Sequence, residues 1–212
     1  AAGLATSPAA AAEQTRFEPV RLEIPAEGGL RAVAALLAVP EGWRRGDPAV
    51  LLLQDRRAAT PPSLPAALLD SGHALLELPA DPDGRVASIA WLGAGLALLR
   101  GPVAAGPVIA VGGGEAGSAA LLAGAVEAGG ALGAGRLRFA GHARLGPGVP
   151  LFAPGLGTQD EAGWPLHARG FCQALVWAFH AAPTPVAQRA DPEADLALLE
   201  RDCLAGLDPV IP

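Results

Sequence analysis

The stretch Pro107-Val108-Ile109-Ala110-Val111-Gly112-Gly113-Gly114-Glu115-Ala116-Gly117-Ser118 sets the fold class of this chain. Residues 107–111 form a continuous apolar run. Such a run, with no polar residue alternating through it, predicts a strand buried on both faces of a mostly parallel sheet. The glycines from Gly112 to Gly117 predict a tight turn, and Ser118 to Ala128 predicts the helix that follows.

Two more buried strands precede it, Ala49 to Leu53 and Ala74 to Leu78. Between them, Leu64 to Leu69 reads as a short helix stopped by Ser71-Gly72, and Val86 to Leu99 reads as the next helix. Further upstream, Val20-Arg21-Leu22-Glu23-Ile24 alternates as a half-buried strand should. Ala26 to Gly29 is a turn and Leu30 to Val39 a second strand, so the pair makes a hairpin. Downstream, Arg136 to Ala143 and Val149 to Ala153 read as strands, and Phe171 to Ala181 as a helix. Strands alternating with helices predict an α/β fold: a three-layer α/β/α domain, its central sheet mostly parallel, with the hairpin at one edge. The expected organisation is a mobile arm over residues 1–16, one domain over 17–182 and a Pro-rich tail over 183–212, in which Glu193 to Leu204 forms a short docked helix.

The chain has 212 residues, enough for one domain to bury a core without a staple. All fifteen basic residues are Arg, and Lys, Asn, Tyr and Met are missing, which points to a GC-rich genome rather than to phosphate recognition. With a net charge of −6 and no basic stripe interleaved with aromatics, nucleic acid is not an expected partner. No apolar run reaches the roughly 18 residues needed to span a bilayer. The opening Ala1-Ala2-Gly3 reads as the start of a mature exported chain, as signal peptidase leaves small residues around its cut; a trimmed chain reads the same way. Cys172 and Cys203 are a candidate disulfide in an oxidising compartment, with two separate buried thiols as the alternative. No CxxC or HxxxH spacing occurs, so neither a metal nor another cofactor is expected.

The order hairpin, buried strand, helix, buried strand, helix, buried strand, Gly-rich turn, helix resembles the α/β-hydrolase fold, with a compressed C-terminal part. The wording is most similar to the dienelactone-hydrolase branch. Ile24-Pro25-Ala26-Glu27-Gly28-Gly29-Leu30 with Ala38-Val39-Pro40-Glu41-Gly42 resembles its opening hairpin, and Leu68-Leu69-Asp70-Ser71-Gly72-His73-Ala74-Leu75-Leu76 its helix-to-strand step. The resemblance covers about residues 17–130 and implies a nucleophile elbow, G-x-S-x-G, between strand and helix. Laid on that motif, Gly112 takes the first glycine, Gly114 the nucleophile position and Ala116 the second glycine. Glycine has no group to form an acyl intermediate.

Substitutes for the lost serine are few. Ser118 stands one helical turn later, where capping or packing is its ordinary role, and Glu115 is a carboxylate suited to a helix N-terminus or to activating water. The resemblance implies an acid and a His after later strands, for which Asp160 and His167 are the candidates. Asp55 falls where the family builds part of its oxyanion hole, and a carboxylate there repels a developing oxyanion. His73, His142 and His180 show no partner spacing and are read as structural or exposed.

The expected function is therefore an exported, catalytically degenerate α/β-hydrolase-like protein that serves as a binding or accessory subunit, with a protein partner in a larger assembly. A divergent esterase or lactonase using Ser118, Asp160, His167 and Glu115 is one alternative. The second is a dinucleotide-binding protein, since Gly112-x-Gly114-x-x-Gly117 fits G-x-G-x-x-G. Against it, residues 132–142 carry Arg136 and Arg138 but no acid to hold a ribose.

Overall fold

The computed structural model describes residues 15–26, 29–54, 60–79, 89–113, 138–145, 151–154, 164–181, 201 and 203. Seven strands form one sheet: β1 (Thr15–Ala26), β2 (Gly29–Pro40), β3 (Ala49–Leu53), β4 (Ala74–Leu78), β5 (Val108–Gly113), β6 (Gly141–Leu145) and β7 (Leu151–Pro154). The described helices are α1 (Leu64–Asp70), α2 (Ile89–Arg100) and α3 (Trp164–Ala181), and positions 201 and 203 are also helical. No helix among the described residues is long and apolar enough to cross a membrane.

The strand order is β1-β2-β4-β3-β5-β6-β7. The three ladders joining β4, β3, β5 and β6 are parallel, whereas β1–β2, β2–β4 and β6–β7 are antiparallel. The sheet is thus mixed, with its parallel strands gathered at the centre. That is where the apolar runs fall: every residue of β3 and β5 is buried. The hairpin lies at one edge, in the register that pairs Val20 with Ala35 and Ile24 with Arg31.

Alternation along the strands feeds two cores. Leu51, Leu53, Leu76 and Ala110 point to the face covered by Trp91, Leu92, Leu96 and Leu99 of α2. Val50, Leu52, Leu75 and Ile109 point to the other face, against Leu64 and Leu68 of α1 and Phe171 and Leu175 of α3. A Cβ on Gly95 would run into the Leu51 side chain, so glycine lets α2 lie close over β3. At the N-terminus of α1, Ser63 makes no side-chain cap; its hydroxyl donates instead to the Ala178 carbonyl at 3.0 Å, tying α1 to the end of α3. At its C-terminus, Gly72 takes φ +83°, the left-handed conformation that closes a helix cheaply only with glycine.

The structure bonds Cys172, in α3, to Cys203, with the Cα atoms 5.7 Å apart and both residues buried. The far residue of that bridge is thereby pinned to the core that α1 and α3 share.

Candidate functional site

In an open α/β sheet, ligands bind at the carboxyl ends of the strands, where the strand order reverses. Here β3 is followed by β4 on one side, and its other neighbour, β5, is followed by β6 on the opposite side. The reversal therefore lies between β3 and β5, at Leu53–Gln54 and Gly112–Gly113.

The strand β5 runs two residues into the expected turn. Gly112 pairs with Leu53 and with Arg144, and Gly113 pairs with Leu145. Both glycines are held in ladders and neither has a positive φ, so they are the last residues of the strand. Gly114, Glu115, Gly117, Ser118, Asp55 and Asp160 lie outside the described residues.

Among the described residues, one polar side-chain pair stands at this edge. Gln54 Nε2 donates to Glu77 Oε2 at 2.5 Å, and the Gln54 backbone N–H donates to the Leu78 carbonyl at 3.1 Å. Glu77 is half-buried. Burial pushes its carboxyl above the usual range, while the bond from Gln54 pulls the other way. Sequence reading passed over this pair because its members stand 23 residues apart and meet only through the parallel pairing of β3 and β4. The available signal was a lone charge inside the apolar run Ala74 to Leu78.

His167 is not at this edge. It lies on α3, and its backbone and imidazole both act on the ring of His73, while a Cβ on Gly170 would sit 3.7 Å from His73 Cε1. His73 directly precedes Ala74, which is in register with Ala49 and, through it, with Val108, the first residues of β3 and β5. His167 thus belongs to the amino edge. The strand from Val108 to Gly113 has 6 residues, roughly 16 Å from the first to the last. The direction of one strand accounts for the place of His167. Because β7 is antiparallel to β6, it ends with Pro154 beside Gly141, at the amino edge, and α3 begins from that side. A parallel last strand would have delivered the chain to the carboxyl edge.

The amino edge has its own serine–histidine contact, Ser71 Oγ to His73 Nδ1 at 2.8 Å. Its chemistry is structural. The Ser71 hydroxyl donates to the Leu68 carbonyl at 2.8 Å, so its one proton is engaged and His73 must donate Nδ1–H to Ser71 Oγ. His73 is 1% exposed, and its Nε2 meets no hydrogen-bond partner among the described residues. Burial first, and the neighbouring His167 second, bring its pKa down to about 4, so the ring is neutral. Phe171 packs on it edge-on at 6.2 Å. His142, on β6, is half-buried, and burial lowers its pKa too.

A groove of about 1030 Å³ lies elsewhere, between the hairpin, the turn after β2 and the end of α2. Val20, Leu37, Trp43 and Leu98 line it, with Arg16 and Glu18 paired at 2.9 Å on its wall.

No family model matches the chain, and no curated protein matches it. Several solved esterases are similar over part of it. Brefeldin A esterase, described as a bacterial homologue of human hormone-sensitive lipase, is 11% identical over 57% of this chain and 38% of its own, with a TM-score of 0.42. A bacterial heroin esterase is 14% identical over 65% of this chain and 44% of its own, with a TM-score of 0.43. The esterase domain of a Rhodothermus marinus protein is 21% identical over 51% of this chain and 45% of its own, with a TM-score of 0.41. The chain spans less than half the length of each.

Proposed function

We propose that this chain is an exported, catalytically degenerate α/β-hydrolase-like protein of the dienelactone-hydrolase kind, serving as a binding or structural accessory subunit. The observation that carries this reading is the position of His167. A general base must reach the proton it takes within about 3 Å, or through one water, and His167 sits a whole strand length from Gly113. Helices on both faces of the sheet support the three-layer hydrolase-like reading. The buried Cys172–Cys203 bridge supports an oxidising compartment, periplasmic or extracellular.

The test is a fluorophosphonate probe together with p-nitrophenyl acetate and butyrate. The expected outcome is no labelling and no turnover above the rate with buffer alone. Gly114→Ser should recover little, since a triad works as a unit and His167 lies at the amino edge. Labelling at Ser118, with turnover abolished in Ser118→Ala, would replace this reading with that of a divergent esterase.

A further inference from the structure

The hairpin carries an uncovered face whose pattern is its own complement. Along β2, Val33, Ala35, Leu37 and Val39 are buried, while the alternate residues Leu30, Ala32, Ala34 and Leu36 are exposed, Leu30 at 70% and Leu36 at 37%. On the same face of β1 stand Arg21, opposite Ala34, and Glu23, opposite Ala32. Neither charge has an ion pair among the described residues, although they are two residues apart on one strand. An exposed row of apolar residues on a regular sheet is the kind of patch that marks an interaction surface.

The row Leu30, Ala32, Ala34, Leu36 reads the same in both directions about Val33. Val33 pairs with Leu22, the midpoint between Arg21 and Glu23. One two-fold axis at that level, lying across the strands, therefore matches these six positions at once. It sets Leu30 against Leu36 of a second copy and Ala32 against Ala34. It also sets Arg21 against Glu23, twice. The central alanines leave room for two sheets to meet at the usual spacing of about 10 Å, and a C2 interface requires such self-complementarity. We propose that this chain forms a two-fold homodimer, hairpin face to hairpin face, specified by reciprocal Arg21–Glu23 pairs. The proposal does not rest on the degenerate-hydrolase reading: an active esterase could dimerise in the same way.

Light scattering on the full chain tests it. The wild type should run at twice the monomer mass at micromolar concentration. Arg21→Glu alone places two carboxylates opposite two carboxylates, and Glu23→Arg alone places guanidinium groups opposite guanidinium groups. Each should weaken the dimer at least about tenfold, as like charges across an interface do. Mixed in equal amounts, the two variants regain opposite charges at both positions and should return to dimer mass. Both substitutions are at exposed positions, and circular dichroism checks that they fold. A monomeric wild type, single variants that dimerise as well as wild type, or folded variants that stay monomeric when mixed would each overturn the proposal.

Discussion

At the amino ends of β3, β4 and β5 the loops lock onto one another, whereas at the carboxyl ends the described residues offer two glycines and one polar side-chain pair. On the amino side, Gly46 N–H donates to the Ala104 carbonyl at 2.8 Å and Gly106 N–H to the Asp47 carbonyl at 2.9 Å. Ala74 N–H donates to the Pro48 carbonyl at 3.1 Å, and Arg100 adds a bond to the Gly106 carbonyl. A buried, neutral histidine sits just behind. On the carboxyl side Glu77 keeps a carboxylate that burial disfavours. One edge therefore contributes rigidity, while the other retains a group that costs stability, the pattern expected where a sheet meets a ligand.

The largest expected effect is at His73. The folded protein takes up a proton there near pH 4 and the unfolded chain near 6.5, so acid favours unfolding. The stability is complete above pH 6.5 and falls as the pH drops to about 4, by on the order of 3 kcal/mol. Urea unfolding of the wild type at several pH values across that window should show the slope, and His73→Gln should flatten it. An unchanged slope in the variant would remove His73 from the account and blur the contrast between the edges.

Gly106→Ala comes next. A Cβ there would run into the Gly46 carbonyl oxygen, which is backbone and cannot rotate away. A loss of about 2 kcal/mol is expected, seen as a lower urea midpoint with the same m-value. A midpoint matching wild type would show that these loops have slack.

Glu77→Gln should move the other way. The folded protein holds the Glu77 proton more tightly than the unfolded chain, so the charged form costs stability above its raised pKa and the cost disappears as the pH falls through it. Glutamine removes the charge and can still accept from Gln54. At pH 7 the gain should be less than about 1 kcal/mol, because solvent screens a half-exposed group. A thermal midpoint that fell would show that the carboxylate is held by something besides Gln54.

Much of the fold was legible because burial leaves a mark on composition. Ala49 to Leu53, Ala74 to Leu78 and the run from Val108 are each buried strands, and the alternation in Val20 to Ile24 marks the hairpin. The helix expected from Phe171 begins earlier, at Trp164, because His167 and Ala168 already face the core around His73 and their spacing is interrupted by Arg169 and Gly170. In the candidate site, the glycines at the end of β5 were visible as glycines. Their place inside the ladder was not, since Gly112 and Gly113 carry no side chain to signal pairing.

By itself the sequence determined which segments are buried and which face of each strand is apolar. Side-chain pattern reports burial, and burial is a local property of each element. Only the tertiary structure decided that β7 runs antiparallel, that His167 consequently joins His73 at the amino edge, and that Gln54 meets Glu77 at the other. Alternation along a strand looks the same whichever way the strand runs. Its direction, and so the edge that each following residue reaches, is set by how the chain returns and pairs with its neighbour.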